Sequence, residues 1–271
     1  MARGIERQNH WVIALAWRNQ LQCRVSRVNR QPAIDPFSWE GRLRARATAR
    51  LELVQDFAAH QTLIEKHLKE LWEKTERDLE ADYEPEVDYE DDTSFKDLIR
   101  ENDSPIEDED DYLYRFEVGV PRVFGYSTVT ILWAAVEFGM RIIALFELER
   151  HKAAFSDEER SRGPIEKYKS FLHRQCNINL PTLPRWEELI AVQKVRDCIV
   201  HCAGNVGTSR DAEFLRGIAG RTGFGISISD ELSSDGDVIE VDKVFVTNSI
   251  HRAFEFFDGL VERLRTHADS S

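Results

Sequence analysis

A chain of 271 residues, 42% hydrophobic and 31% charged, holds one sizeable domain with appendages or two small ones. No apolar run approaches the roughly 20 residues that cross a bilayer, and WVIALAW (Trp11–Trp17), followed by arginines without a small-residue cleavage site, reads as part of a helix rather than a signal peptide. The net charge of −13 is unevenly placed: residues 76–111 carry 18 acidic against 3 basic groups, a net −15, which leaves +2 for everything else.

The first 41 residues form an Arg-rich arm. Residues 1–50 hold 10 arginines against 3 acids, so this end can approach phosphates or fold back onto the acidic segment. Two prolines and a glycine in RQPAIDPFSWEG (Arg30–Gly41) break any helix there. From 42 to 79 the pattern is helical, with Leu51, Val54, Ala58, Leu63, Leu68 and Leu71 near helical spacing and no Pro or Gly between. Residues 80–112 are acidic and proline-bearing, and are expected to be an exposed, partly disordered insert. A contact between that insert and the arginines of the arm would hold the protein quiet until a partner or RNA displaced it.

The remaining residues, 113–271, are expected to be a helical core. A second helix is expected over Ser127–Arg150, apolar nearly all round and therefore buried on most sides. Glu137 and Arg141 interrupt it four residues apart, in the order that favours an ion pair. They are read either as that pair or as weak supporting groups for a site. A shorter helix follows over 165–176, then a loop, then a helix from Trp186 to about Ala203 with Leu189, Val192, Val195, Ile199 and Cys202 as its apolar stripe. FGISIS (Phe224–Ser229) and DVIEV (Asp237–Val241) alternate around a turn-rich stretch and predict a small hairpin. The last helix begins after Val241, its core side lined by Val244, Ile250, Phe254, Phe257, Val261 and Leu264. The expected fold is all-α: an antiparallel bundle of four main helices with one hairpin and the insert.

Chemistry concentrates in RDCIVHCAG (Arg196–Gly204). Asp197 and His201 are four apart and share a helix face, so the carboxylate can set the ring's tautomer. Arg196 lies off that face but is long enough to reach it. Cys198 and Cys202 flank the histidine, but zinc sites of the structural kind want four ligands, and no second pair lies at a standard spacing. Both cysteines read as small buried hydrophobes. The four cysteines are too sparse for a disulfide framework, which places the chain in a reducing cytoplasm. There is no Walker loop, and GRTGFG (Gly220–Gly225) lacks the preceding strand and following helix that a phosphate loop needs. Metal-free acid–base chemistry assisted by a guanidinium remains, and no metal or cofactor is assigned. Cleavage of RNA by its own 2′-hydroxyl needs that combination: a base, an acid and a cation for the phosphorane. A satisfied structural cluster is the plainer reading of the same three residues.

Arg196, Asp197 and His201 resemble the signature of the HEPN superfamily, an arginine, a polar residue and then a histidine near the end of a core helix. Apolar Ile199 and Val200, the glycine-bearing turn and the helix order over about residues 115–266 extend the resemblance. It implies a metal-independent endoribonuclease of the toxin–antitoxin or phage-defence kind, acting on RNA as a homodimer in which two motifs share one site. An antitoxin or other defence-system protein is the implied partner, with no membrane involved. In one subgroup a tyrosine two positions after the histidine is modified by an antitoxin; Ala203 stands there in this chain, which puts that control in doubt. A catalytically silent interaction module on the same fold is the alternative.

Overall fold

The computed structural model describes residues 38–82, 119–219, 221, 223–229 and 237–269. The expectations for the acidic insert lie almost wholly outside the described residues, as does nearly all of the Arg-rich arm. Within the described residues there are seven helices: α1 (Trp39–Asp82), α2 (Val120–Arg150), α3 (Asp157–Ser161), α4 (Pro164–Cys176), α5 (Trp186–Cys202), α6 (Ala212–Ala219) and α7 (Lys243–Asp269). Strands β1 (Ile226–Ser229) and β2 (Val238–Val241) pair antiparallel, with Ile226 opposite Val241 and Ser229 opposite Val238. The mostly helical class with one hairpin is therefore as the sequence implies. The described residues from Leu43 onward form one compact unit.

Helix α2 is the centre of that unit. It packs against α4, α5, α7 and β2. Val129, Leu132, Val136, Met140 and Ile143 on it are buried. It starts at Val120, seven residues before the expected Ser127, because Pro121 falls in the first turn, where a missing N–H costs nothing. By length and composition α2 could cross a membrane, which corrects the sequence expectation that no segment is apolar enough; isolated polar residues do not prevent it. Half of its most apolar stretch is buried inside the protein, as in a core helix.

Two glycines let neighbours approach this helix closely. A Cβ on Gly139 would stand 2.7 Å from the Ala47 carbonyl oxygen of α1 and 2.4 Å from Cζ of Phe257 on α7. A Cβ on Gly125 would stand 2.9 Å from the Val241 carbonyl oxygen of β2.

The apolar stripe of α1 is used only in part. Leu43, Ala47, Leu51 and Val54 are buried, whereas Leu63 and Leu71, expected in the core, are exposed. Farther along, α1 meets α2 through polar contacts. Gln61 Nε2 donates to the Phe124 carbonyl at 3.2 Å, and Gln61 Oε1 accepts from the Thr128 hydroxyl at 2.6 Å. Helix α1 also reaches Asp82, so the first three residues of the expected insert are helical.

On α7 the core residue at the first turn is Phe245 rather than the expected Val244, which is exposed, and Phe254 is half-buried. Two short helices had no counterpart in the sequence reading. Helix α3 is set by a capping box: the Ser156 hydroxyl accepts from the Glu159 N–H at 3.2 Å, and Glu159 accepts from the Ser156 N–H at 2.8 Å. Helix α6 buries Leu215 and Ile218.

Because the space around Gly139 is closed by a backbone carbonyl and a ring together, Gly139→Ala should destabilise the protein by about 1–3 kcal/mol, read from the urea midpoint. Adding Phe257→Leu should restore only part of the loss, since the Ala47 carbonyl stays in place. Full restoration would show that the ring alone sets the limit.

Candidate functional site

The three motif residues lie on the last turns of α5. That helix buries Leu189, Val192, Val195 and Cys198, so its core stripe shifts onto Cys198 and leaves Ile199 and Cys202 half-buried. Its C-terminus is fixed on two sides. The Gly204 N–H donates to the Cys198 carbonyl at 3.1 Å, closing the helix end six residues back, with Ala203 left-handed at φ 51°. The next residues then join the hairpin: Ile239 N–H donates to the Gly204 carbonyl at 2.9 Å and Val206 N–H to the Asp237 carbonyl at 2.8 Å.

Gly204 is required twice. Its φ is +85°, and a Cβ there would stand 2.2 Å from the hydroxyl oxygen of Tyr126. That hydroxyl donates to the Ile239 carbonyl at 2.6 Å. Burial pushes the Tyr126 phenol up to about 12, against the opposing charge of Arg122. Tyr126 thus joins the start of α2, the end of α5 and β2.

The motif is a network of charges. Arg196 Nη1 donates to Asp197 Oδ1 at 2.8 Å, and Arg210 Nη2 donates to Asp197 Oδ2 at 3.1 Å. The Arg196 side chain is 30% exposed and that of Asp197 15%, while Arg210 is 80% exposed. Arg196 Nε is buried without a hydrogen-bond partner. One turn earlier Lys194 pairs with Asp211, which Arg210 Nε also contacts at 3.3 Å. Burial raises the Asp211 carboxyl, but Lys194 and Arg210 outweigh it and hold the group below its ordinary range.

His201 is exposed, and among the described residues no hydrogen bond or ion pair engages it. The sequence reading had Asp197 orienting the imidazole. In the structure both carboxylate oxygens are taken by arginines instead.

The supporting pair is not assembled. Glu137 accepts from Trp133 Nε1 at 2.8 Å, and Arg141 is exposed. Both charges act on the Tyr168 hydroxyl of α4, whose own burial raises it, and neither contacts a motif residue. The reason is distance along α2: Ile199 lines a depression with Tyr126–Ile131 of that helix, and Glu137 lies six residues beyond Ile131, about 9 Å. Cys198 behaves as the sequence implies. It is buried, and burial, aided by Cys202, lifts its thiol to about 11, so it is a poor nucleophile.

Sequence reasoning missed Lys194, Arg210, Asp211 and Tyr126. Arg210 and Asp211 reach α5 only because the loop after Gly204 turns back, and no spacing signals that. Beside the motif, Tyr126, Ser127, Thr130, Ile131 and Ile199 line an open, mostly apolar depression.

Among known proteins, no family model matches this chain, and neither a curated protein nor a solved structure matches it significantly.

The two residues that end α5 give opposite expectations. Ala203→Gly should raise stability by about 0.5–1 kcal/mol, because relief of a left-handed non-glycine residue exceeds the entropy that glycine adds to the unfolded chain. Gly204→Ala should lower it by more than about 2 kcal/mol, since strain and the Tyr126 clash add. Thermal melts of the two variants beside the parent check both signs.

Proposed function

We propose that the chain is a HEPN-like helical-bundle endoribonuclease that cleaves RNA by 2′-hydroxyl transesterification, as a toxin or phage-defence effector. The observation that carries this reading is the disposition of the motif. His201 is solvent-facing and unengaged at the end of a helix whose terminus is pinned, and a half-buried guanidinium sits on the same two turns.

In the proposed step a neutral imidazole takes the 2′-hydroxyl proton. The 2′ oxygen attacks phosphorus, the new O2′–P bond forms and the P–O5′ bond breaks. The leaving 5′ oxygen receives a proton from a protonated imidazole. The single motif histidine cannot hold both roles at once, so the reading requires two copies of the motif, His201 from each protomer taking one role. Arg196, with donors left over after its bond to Asp197, stabilises the phosphorane. Asp197 positions the two arginines. The Arg210 contact is highly exposed and of the sort worth about 0–1 kcal/mol, so an RNA phosphate can displace it.

Dimerisation across this face is supported by exposed apolar side chains beside the depression. Ile131 is 41% and Val200 46% exposed, next to the depression lined by Ile199.

A second reading, a catalytically silent interaction module, is favoured by one observation: Arg196 and Asp197 are ion-paired to each other, and Asp197 again to Arg210.

His201→Ala should lower cleavage about 100- to 10,000-fold with an unchanged melting temperature, because the exposed side chain makes no hydrogen bond or ion pair among the described residues. Cleavage should need no added magnesium. A variant that cuts at the parental rate removes His201 from the reaction, and a parent protein that cuts no RNA favours the silent module. Val200→Lys should convert a dimer burying at least about 1,000 Å² into a monomer in sedimentation, and cleavage should fall with it. A parent protein that is monomeric at tens of micromolar (roughly a physiological excess) contradicts the composite site.

A further inference from the structure

At the end of α2 far from the motif, three side chains of different chemistry converge. Glu147 and His151 are one turn apart on α2 and its cap, and Cys176 ends α4. A carboxylate oxygen, an imidazole nitrogen and a sulfur from these residues lie within 4.8 Å of one another. Glu147 is completely buried, and Cys176 is 1% exposed.

A buried carboxylate is costly unless its oxygens are matched. Glu147 lies within ion-pair distance of Arg150 and His151, but its hydrogen bonding is poor. Oε1 accepts no hydrogen bond, and the nearby Arg150 Nη1 stands 3.6 Å away. Oε2 receives only the weak thiol donor of Cys176, at 3.5 Å. His151 Nε2 is 3.2 Å from Oε2, yet this buried nitrogen has no hydrogen-bond partner. A ring nitrogen that close to a carboxylate without bonding to it is aimed elsewhere.

We propose that Glu147, His151 and Cys176 bind a zinc-type divalent ion that ties α2 to α4. The spacing suits it. Ligand atoms at ordinary zinc distances, about 2.0 Å for nitrogen and oxygen and about 2.3 Å for sulfur, lie about 3.3–3.5 Å apart at a tetrahedral angle. Two of the three separations are 3.2 Å between Oε2 and Nε2 and 3.5 Å between Oε2 and Sγ, and all three ligand atoms lie within 4.8 Å of one another. The donor set of thiolate, imidazole and carboxylate selects zinc over magnesium or calcium, which take oxygen ligands. The ion takes the Oε2 side, Arg150 stays near Oε1, and water completes the coordination.

Without metal, burial and the charge of Glu147 push the Cys176 thiol up to about 12. Binding therefore replaces the thiol proton with the ion and releases that proton to solvent. The site is independent of the ribonuclease reading: Glu147 lies 16 residues beyond Ile131, about 24 Å along α2.

The test is a cobalt(II) titration of the full chain after chelator treatment, followed by zinc competition. The expected result is about one ion per chain, a near-ultraviolet sulfur-to-cobalt charge-transfer band displaced by zinc, and a melting temperature raised by several degrees with zinc. Cys176→Ser should abolish the band, and a Cys198→Ser, Cys202→Ser double variant should keep it. His151→Ala, at a partly exposed position, should weaken binding at least about tenfold with an unchanged circular dichroism spectrum. A parent protein that takes up neither ion at tens of micromolar overturns the proposal, whether or not the variants fold. So does a band that survives Cys176→Ser.

Discussion

Helix α2 carries more apolar surface than one neighbour can cover, and the arrangement of the described residues from Leu43 onward follows from covering it. Helices α4, α5 and α7 and strand β2 lie against it, and the first turns of α1 come within reach of Gly139. Such approach depends on residues without side chains, because interiors are close-packed and a methyl group has nowhere to go. The same demand fixes α5. Its last turn ends where α2 begins, and Tyr126 holds the two ends together through Gly204 and Ile239. A histidine that is exposed and yet precisely placed is a consequence of that junction.

The motif shows how a buried helix carries polar groups. Asp197, mostly buried, is matched by two arginines, while His201, one turn on, has left the packed region. The stripe of α5 drifts from Val195 to Cys198, and this drift turns Ile199 and Val200 outward. The polar and apolar features of the proposed interface thus share one cause, the departure of the helix end from the core. A phosphate arriving here meets Arg196, Arg210 and Lys194 set against two carboxylates that they already partly neutralise.

Much of the fold was legible because the long helices have strong periodicity and clear ends. Pro164 in the first turn of α4 and the glycines after α5 are local signals that need no tertiary context. The capping box of α3, Ser156 with Glu159, is equally local, although the helix it starts is too short to show a period. The burial of α1 was not legible, because Leu63 and Leu71 keep helical spacing although their side chains are exposed. At the site, the three motif residues could be found from spacing, but their pairing could not. Asp197 has an arginine beside it in sequence and another brought by a loop, and both compete with His201 for its oxygens. The Glu147, His151 and Cys176 cluster was hidden for the same reason: Cys176 is 25 residues from His151, and only the packing of α4 on α2 joins them.

The central claim is that the end of α5 cuts RNA through the substrate's own 2′ oxygen. That chemistry leaves a signature independent of which RNA is cut. Mass spectrometry of the products of a defined oligoribonucleotide, incubated with the full chain, reads it directly. The account predicts fragments ending in a 2′,3′-cyclic phosphate with 5′-hydroxyl partners, and no cutting of an oligonucleotide whose 2′ oxygens are methylated. Fragments with 3′-hydroxyl and 5′-phosphate ends, or equal cutting of the methylated strand, would contradict it.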